Sequence, residues 1–88
     1  MRIRIEKVSQ GLHPAEIVVR LETRSGREEL VVDTQHLEDD TLNIGWPVGR
    51  EAEYYLIELP TETFRGSWRV WVKKDNLLPD TAPQRMMA

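Results

Sequence analysis

The sequence predicts an all-β, mainly antiparallel domain. Three observations carry that prediction. Apolar residues recur at every second position, and turn residues such as Gly11, Pro14 and Gly26 separate the alternating runs. The one stretch with helical character, His36 to Leu42, is shorter than the ten or so residues an independent helix needs. At 88 residues the chain can build one core and not two, so residues 1–78 are read as a single small β domain.

In residues 2–8, Ile3 and Ile5 alternate with Arg2, Arg4 and Glu6, the pattern of a half-buried strand. Gly11 and Pro14 interrupt it. Residues 16–23 and 28–34 are two β-rich runs about Arg-Ser-Gly-Arg, with Ser25-Gly26 as a two-residue hairpin turn. That turn sets Leu21 opposite Leu30, Val19 opposite Val32 and Ile17 opposite Thr34. Its outer face pairs Val18 with Asp33, Arg20 with Val31 and Glu22 with Glu29, the last a repulsive contact.

Residues 35–50 are expected to form an irregular or short helical connector. A turn over His36 to Leu42 would be capped by Thr34, and Leu42, Ile44, Trp46 and Val48 would be apolar anchors. A second hairpin runs from 51–60 to 66–73. Pairing Leu59 with Trp68, Ile57 with Val70 and Tyr55 with Val72 gives one continuous apolar face. The reverse face then joins Glu58 to Arg69, Leu56 to Trp71 and Tyr54 to Lys73. After it a 3₁₀ turn begun by Asp75 or Asn76 leads to a short closing strand, Leu77 and Leu78. Residues 79–88 hold two prolines and no period, and read as a flexible tail. No internal repeat of useful length is visible in the sequence.

Five strands in hairpin pairs suggest a small five-stranded barrel or strongly bent sheet, an arrangement that limits exposed edges. The ending, Gly66-Ser67-Trp68 in a strand followed by a turn and Asn76-Leu77-Leu78-Pro79, resembles the closing segment of SH3-like barrels. The order of three strands, a connector and two strands suits a compressed OB-fold as an alternative. Each resemblance covers an order of elements, so neither implies binding residues.

Composition narrows function by exclusion. Without cysteine there is no disulfide, no thiolate nucleophile and no cysteine zinc site, which favours a reducing cytoplasm. Charges at Arg2, Arg4, Glu6 and Lys7 break any leader-like apolar run, and no stretch approaches a membrane span, so no membrane partner is expected. A net charge of −3 weakens general nucleic-acid binding. Glu38-Asp39-Asp40 near His36 lack the spaced oxygens that hard cations require, and His13 and His36 form no zinc motif. Ser9, Ser25 and Ser67 sit in no nucleophile context, and Gly45, Gly49 and Gly66 form no phosphate loop. No metal, cofactor or catalytic residue is therefore expected.

What remains is one face: Tyr54, Leu56, Arg69, Trp71 and Lys73, with Arg65 and Lys74 nearby. Aromatics interleaved with cations suit a protein or peptide partner, or self-association as a homodimer. The same mixture suits single-stranded nucleic acid, disfavoured by Glu58 and by the chain's acidity. Alternatively Trp71 is covered by Tyr54 and Leu56 as a second small core. On either reading Trp68 is expected in the main core. The expected role is a non-catalytic interaction module, with a nucleic-acid-binding OB-like domain and a small enzyme around His36 as alternatives.

Overall fold

A computed structural model describes residues 1–79; the expected tail lies, beyond Pro79, outside the described residues. The alternating runs form ten short strands. They are β1 (Arg2–Arg4), β2 (Glu6–Gln10), β3 (Glu16–Thr23), β4 (Gly26–Asp33), β5 (Leu37–Glu38), β6 (Thr41–Asn43), β7 (Gly49–Glu51), β8 (Tyr54–Glu58), β9 (Arg69–Lys73) and β10 (Leu77–Leu78). Two 3₁₀ turns, Thr34–His36 and Lys74–Asn76, are the helical elements among the described residues. All pairings are antiparallel, in three sheets ordered β10-β1-β6-β5, β2-β3-β4 and β7-β8-β9. The expected five strands are subdivided. The first run breaks at Ile5, and the 35–50 connector supplies β5, β6 and the start of β7.

The second hairpin has the register that its side chains dictate: Tyr54–Lys73, Tyr55–Val72, Leu56–Trp71, Ile57–Val70 and Glu58–Arg69. The first is displaced by two residues from the expected register. Thr23 stands opposite Gly26, Leu21 opposite Glu28, Val19 opposite Leu30 and Ile17 opposite Val32, with Arg24-Ser25 as the turn. Gly26 takes φ +121 where the ladder closes and not inside the turn, while the Thr23 hydroxyl donates to its carbonyl. The slip replaces the repulsive Glu22–Glu29 pair with Arg20–Glu29 and Glu22–Arg27. Arg20 Nε donates to Glu29 at 2.9 Å, a bond that raises the guanidinium above its ordinary pKa against partial desolvation. A two-residue slip preserves strand faces, so the core is unaffected.

The expected helical connector is corrected. Asp33, not Thr34, caps the first 3₁₀ turn by accepting from Gln35 N at 3.0 Å, and the chain then turns through Asp39-Asp40 into β6. Two short ladders satisfy the backbone that a longer helix would have satisfied internally. Of the four anchors, Leu42 is buried and Ile44 packs on the core, but Trp46 and Val48 are 76% and 51% exposed. The second 3₁₀ turn begins at Lys74, ahead of Asp75, and delivers Leu77 and Leu78 to β1.

One cluster of buried side chains joins the sheets: Ile3, Ile5, Val19, Leu21, Leu30, Val32, Leu42, Ile57, Leu59, Val70, Val72 and Leu77. Each is worth roughly 1.5–3 kcal/mol relative to exposure. Trp68 is not among them. Glu28 is the costly exception at the rim: it is buried, Arg65 Nη1 approaches its Oε2 to 3.5 Å, and its Oε1 has no partner.

The arrangement repeats, although no sequence repeat announces it. Each half runs one central strand (β1 or β6), a three-stranded meander, a 3₁₀ turn and a two-residue strand. The closing strands are exchanged: β5 pairs with β6 of the second half and β10 with β1 of the first. Ile3 and Leu42 face each other where the halves meet. On either side Ile5 N donates to Asp40 O at 2.9 Å and Ile44 N to Met1 O at 2.8 Å. Val18–Val31 corresponds to Leu56–Trp71, and Arg20–Glu29 to Glu58–Arg69 with the charges reversed. The chain thus has a pseudo-two-fold axis through the β1–β6 ladder. The hairpin tips are exchanged as well, Arg24 N donating to Trp71 O and Phe64 N to Glu29 O, both at 2.8 Å.

Candidate functional site

The outer face of the β7-β8-β9 sheet brings most of the sequence-predicted residues together. Strand alternation turns Ile57, Val70 and Val72 inward, which leaves Tyr54, Leu56 and Glu58 on β8 and Arg69, Trp71 and Lys73 on β9 facing out. Gly49, Leu56 and Trp71 form one row across the three strands. A Cβ on Gly49 would lie 3.2 Å from Leu56 Cβ and 3.7 Å from the indole Cη2, so the glycine admits the ring over β7.

Trp71 is half-buried, and its cover comes from a residue the sequence reading left out. The Arg24 guanidinium, carried on the first hairpin's turn, lies 4.7 Å from the Trp71 ring centroid and 5.5 Å from that of Tyr54. It also pairs with Glu51 on β7. The cation over the aromatics is therefore Arg24 where Lys73 was expected, and the Arg24 N–H bond to Trp71 O fixes its tether. The signal available in sequence was the charge pattern of the first hairpin. Had Arg20 been matched to Glu29, Arg24 would have moved into the turn.

Of the other predicted residues Arg69 lies on this face but is engaged, while Arg65 and Lys74 lie off it. Arg69 is tied to Glu58, with Nε to Oε2 at 3.0 Å. Arg65 lies elsewhere, beside Phe64 and the first hairpin, paired with Glu28. Lys74 starts the second 3₁₀ turn, its N–H bonded to Glu53 O at 3.0 Å. Neither Lys73 nor Lys74 forms an ion pair among the described residues. An open cavity of about 460 Å³ beside the face is lined by Glu22, Thr23, Arg24, Gly26, Tyr54, Lys73 and Asn76.

Comparison with protein-family models, curated proteins and solved structures finds no match. The chemistry of the face is thus read from its own residues. Glu38, Asp39 and Asp40 serve local structure: Glu38 pairs with Arg2, Asp39 takes φ 55 in the turn, and Asp40 O accepts from Ile5. Among the described residues no three His, Asp or Glu side chains converge on a metal position. His36 is half-buried at a groove edge with Asn43 and Glu58, and His13 is exposed in the β2–β3 turn.

Trp68 requires a correction. It was expected in the main core, but it is 47% exposed, with the Arg69 guanidinium 4.6 Å from its ring. The β8–β9 ladder ends at Glu58–Arg69, one residue before it, although Leu59 N still donates to Trp68 O at 2.7 Å. Trp68→Ala should therefore cost about 1 kcal/mol and not the several that a core indole would. Urea unfolding measures this directly: a midpoint shift as large as that of a fully buried leucine would return the indole to the core.

Proposed function

We propose that this chain is a non-catalytic protein-interaction module that presents the outer face of the β7-β8-β9 sheet to a protein or peptide. The observation that carries this reading is the row of Leu56 and Trp71, half-buried and facing out, bordered by Tyr54 and by Lys73, which forms no ion pair among the described residues. Trp and Tyr side chains concentrate binding energy in protein interfaces, and an unpaired lysine beside them adds charge selectivity for the partner. The nucleic-acid reading loses most of its cations: Arg24, Arg65 and Arg69 are held by Glu51, Glu28 and Glu58. At the finer level of fold we favour an SH3-like bent sheet over an OB-like one. The order of meander, 3₁₀ turn and short strand returning to β1 supports it.

The test is a selection of displayed random peptides on the immobilised chain, followed by fluorescence titration. Selected peptides should bind the native chain and lose about tenfold or more in affinity to Lys73→Glu or Tyr54→Ala. Quenching of tryptophan by single-stranded oligonucleotides at low salt, with no peptide enriched, would overturn the reading.

A further inference from the structure

The pseudo-two-fold axis gives the Trp71 face a counterpart on the first half. There the outer face of β2-β3-β4 carries Val18 opposite Val31 and Glu16 opposite Asp33, where the second half has Leu56 opposite Trp71 and Tyr54 opposite Lys73. Both faces place a half-buried apolar pair beside a polar pair, and the polar pairs differ in sign. Glu16 and Asp33 face each other directly across the ladder, an unfavourable pairing of like charges. Neither forms an ion pair among the described residues, while Arg20 is already engaged by Glu29 and Glu6. A cation brought to this face would relieve that repulsion. The other half supplies one in Lys73.

We infer that the chain associates head to tail with a second copy of itself, the Tyr54–Trp71–Lys73 face of one copy seating on the Glu16–Val18–Val31–Asp33 face of the next. This rests on the reading of the Trp71 face as a protein-binding surface and names its partner. Val18 and Val31 meet Leu56 and the part of the Trp71 ring that Arg24 leaves open, Lys73 enters between the two carboxylates, and the Tyr54 hydroxyl can donate to one of them. Because the two faces differ, the contact is heterologous, and a pair of copies keeps one free face of each kind. Assembly therefore continues into a ring or a filament and does not stop at a two-fold dimer.

Sedimentation velocity of the full chain tests this with two variants. One is Lys73→Glu; the other is Glu16→Lys combined with Asp33→Asn, where asparagine keeps the cap on the 3₁₀ turn. The native chain should sediment faster as concentration rises at low salt, and high salt should reverse this. Each variant alone, shown folded by circular dichroism, should associate about tenfold or more weakly. An equimolar mixture should recover association, because every contact in an alternating assembly again joins opposite charges. A native chain that stays monomeric overturns the inference, and so does a mixture no better than its components. Association weakened by Lys73→Glu but unaffected by the acidic-face variant also overturns it, pointing to a two-fold dimer through the Trp71 face. Peptides bound by a strictly monomeric chain would leave the proposed function standing and remove only this partner.

Discussion

Leu42→Ala is expected to lower stability by about 3–5 kcal/mol, a large part of the roughly 5–10 kcal/mol available to a domain of this size. Leu42 is fully buried on β6, between Ile3 on β1 and Leu37 on β5, and lies where the two halves exchange strands. Truncation there removes apolar area and leaves a cavity whose walls are ladders on both sides, which limits collapse. Ile3→Ala should cost a similar amount, since Ile3 holds the corresponding position and pairs with Leu77 on β10. The double variant should depart from additivity, because the two side chains share one contact. Urea unfolding checks this: the midpoint should fall with little change in slope. Leu12→Ala, at a side chain 96% exposed, serves as the control and should shift stability by less than about 0.5 kcal/mol. Equal effects of Leu42→Ala and Leu12→Ala would mean that the halves are not joined through this ladder.

The all-β class, the inward faces of the long strands and the whole second hairpin were legible in the sequence, and the reasons are local. Glu58 with Arg69 and Ile57 with Val70 admit one register that satisfies both faces. The first hairpin lies two positions from the expected register because Gly26, a common turn residue, puts its positive φ at the ladder position that follows the turn. Charge matching across Arg20–Glu29 and Glu22–Arg27 held the correct answer. The repeated architecture was not legible by identity. Equivalent core positions keep apolar character and change residue, as in Val19 and Ile57 or Leu30 and Val70, and equivalent ion pairs reverse sign. Trp68 failed for a related reason. Strand parity placed it inward, but parity holds only while the ladder continues, and the ladder stops one residue earlier. In the candidate face, Tyr54, Leu56, Trp71 and Lys73 were found because one hairpin carries them all. Arg24 was not, since its place over Trp71 depends on a contact between hairpins from different halves.

Trp71→Ala should cost about 2–3 kcal/mol, less than a fully buried indole and more than an exposed one. The ring covers Leu56 and Gly49 on one side and is covered by Arg24 on the other. Arg24→Ala should cost about 1 kcal/mol, and the double-mutant cycle should give a coupling of about 0.5–2 kcal/mol between them. Arg24→Lys separates charge from shape. It preserves an ion pair with Glu51 but lacks the planar group that stacks on the indole, so most of the coupling should be lost. Chemical denaturation of the four cycle members measures the coupling, and a value near zero would leave the stacked geometry without energetic weight. The size of that coupling bears on function as well. Trp71 is at once a lid over the sheet and part of its outer surface, so its truncation removes stability and binding together. Lys73, exposed and free of ion pairs, carries no such double duty. A loss of binding on altering Lys73, with the unfolding midpoint unmoved, therefore reports on the surface alone.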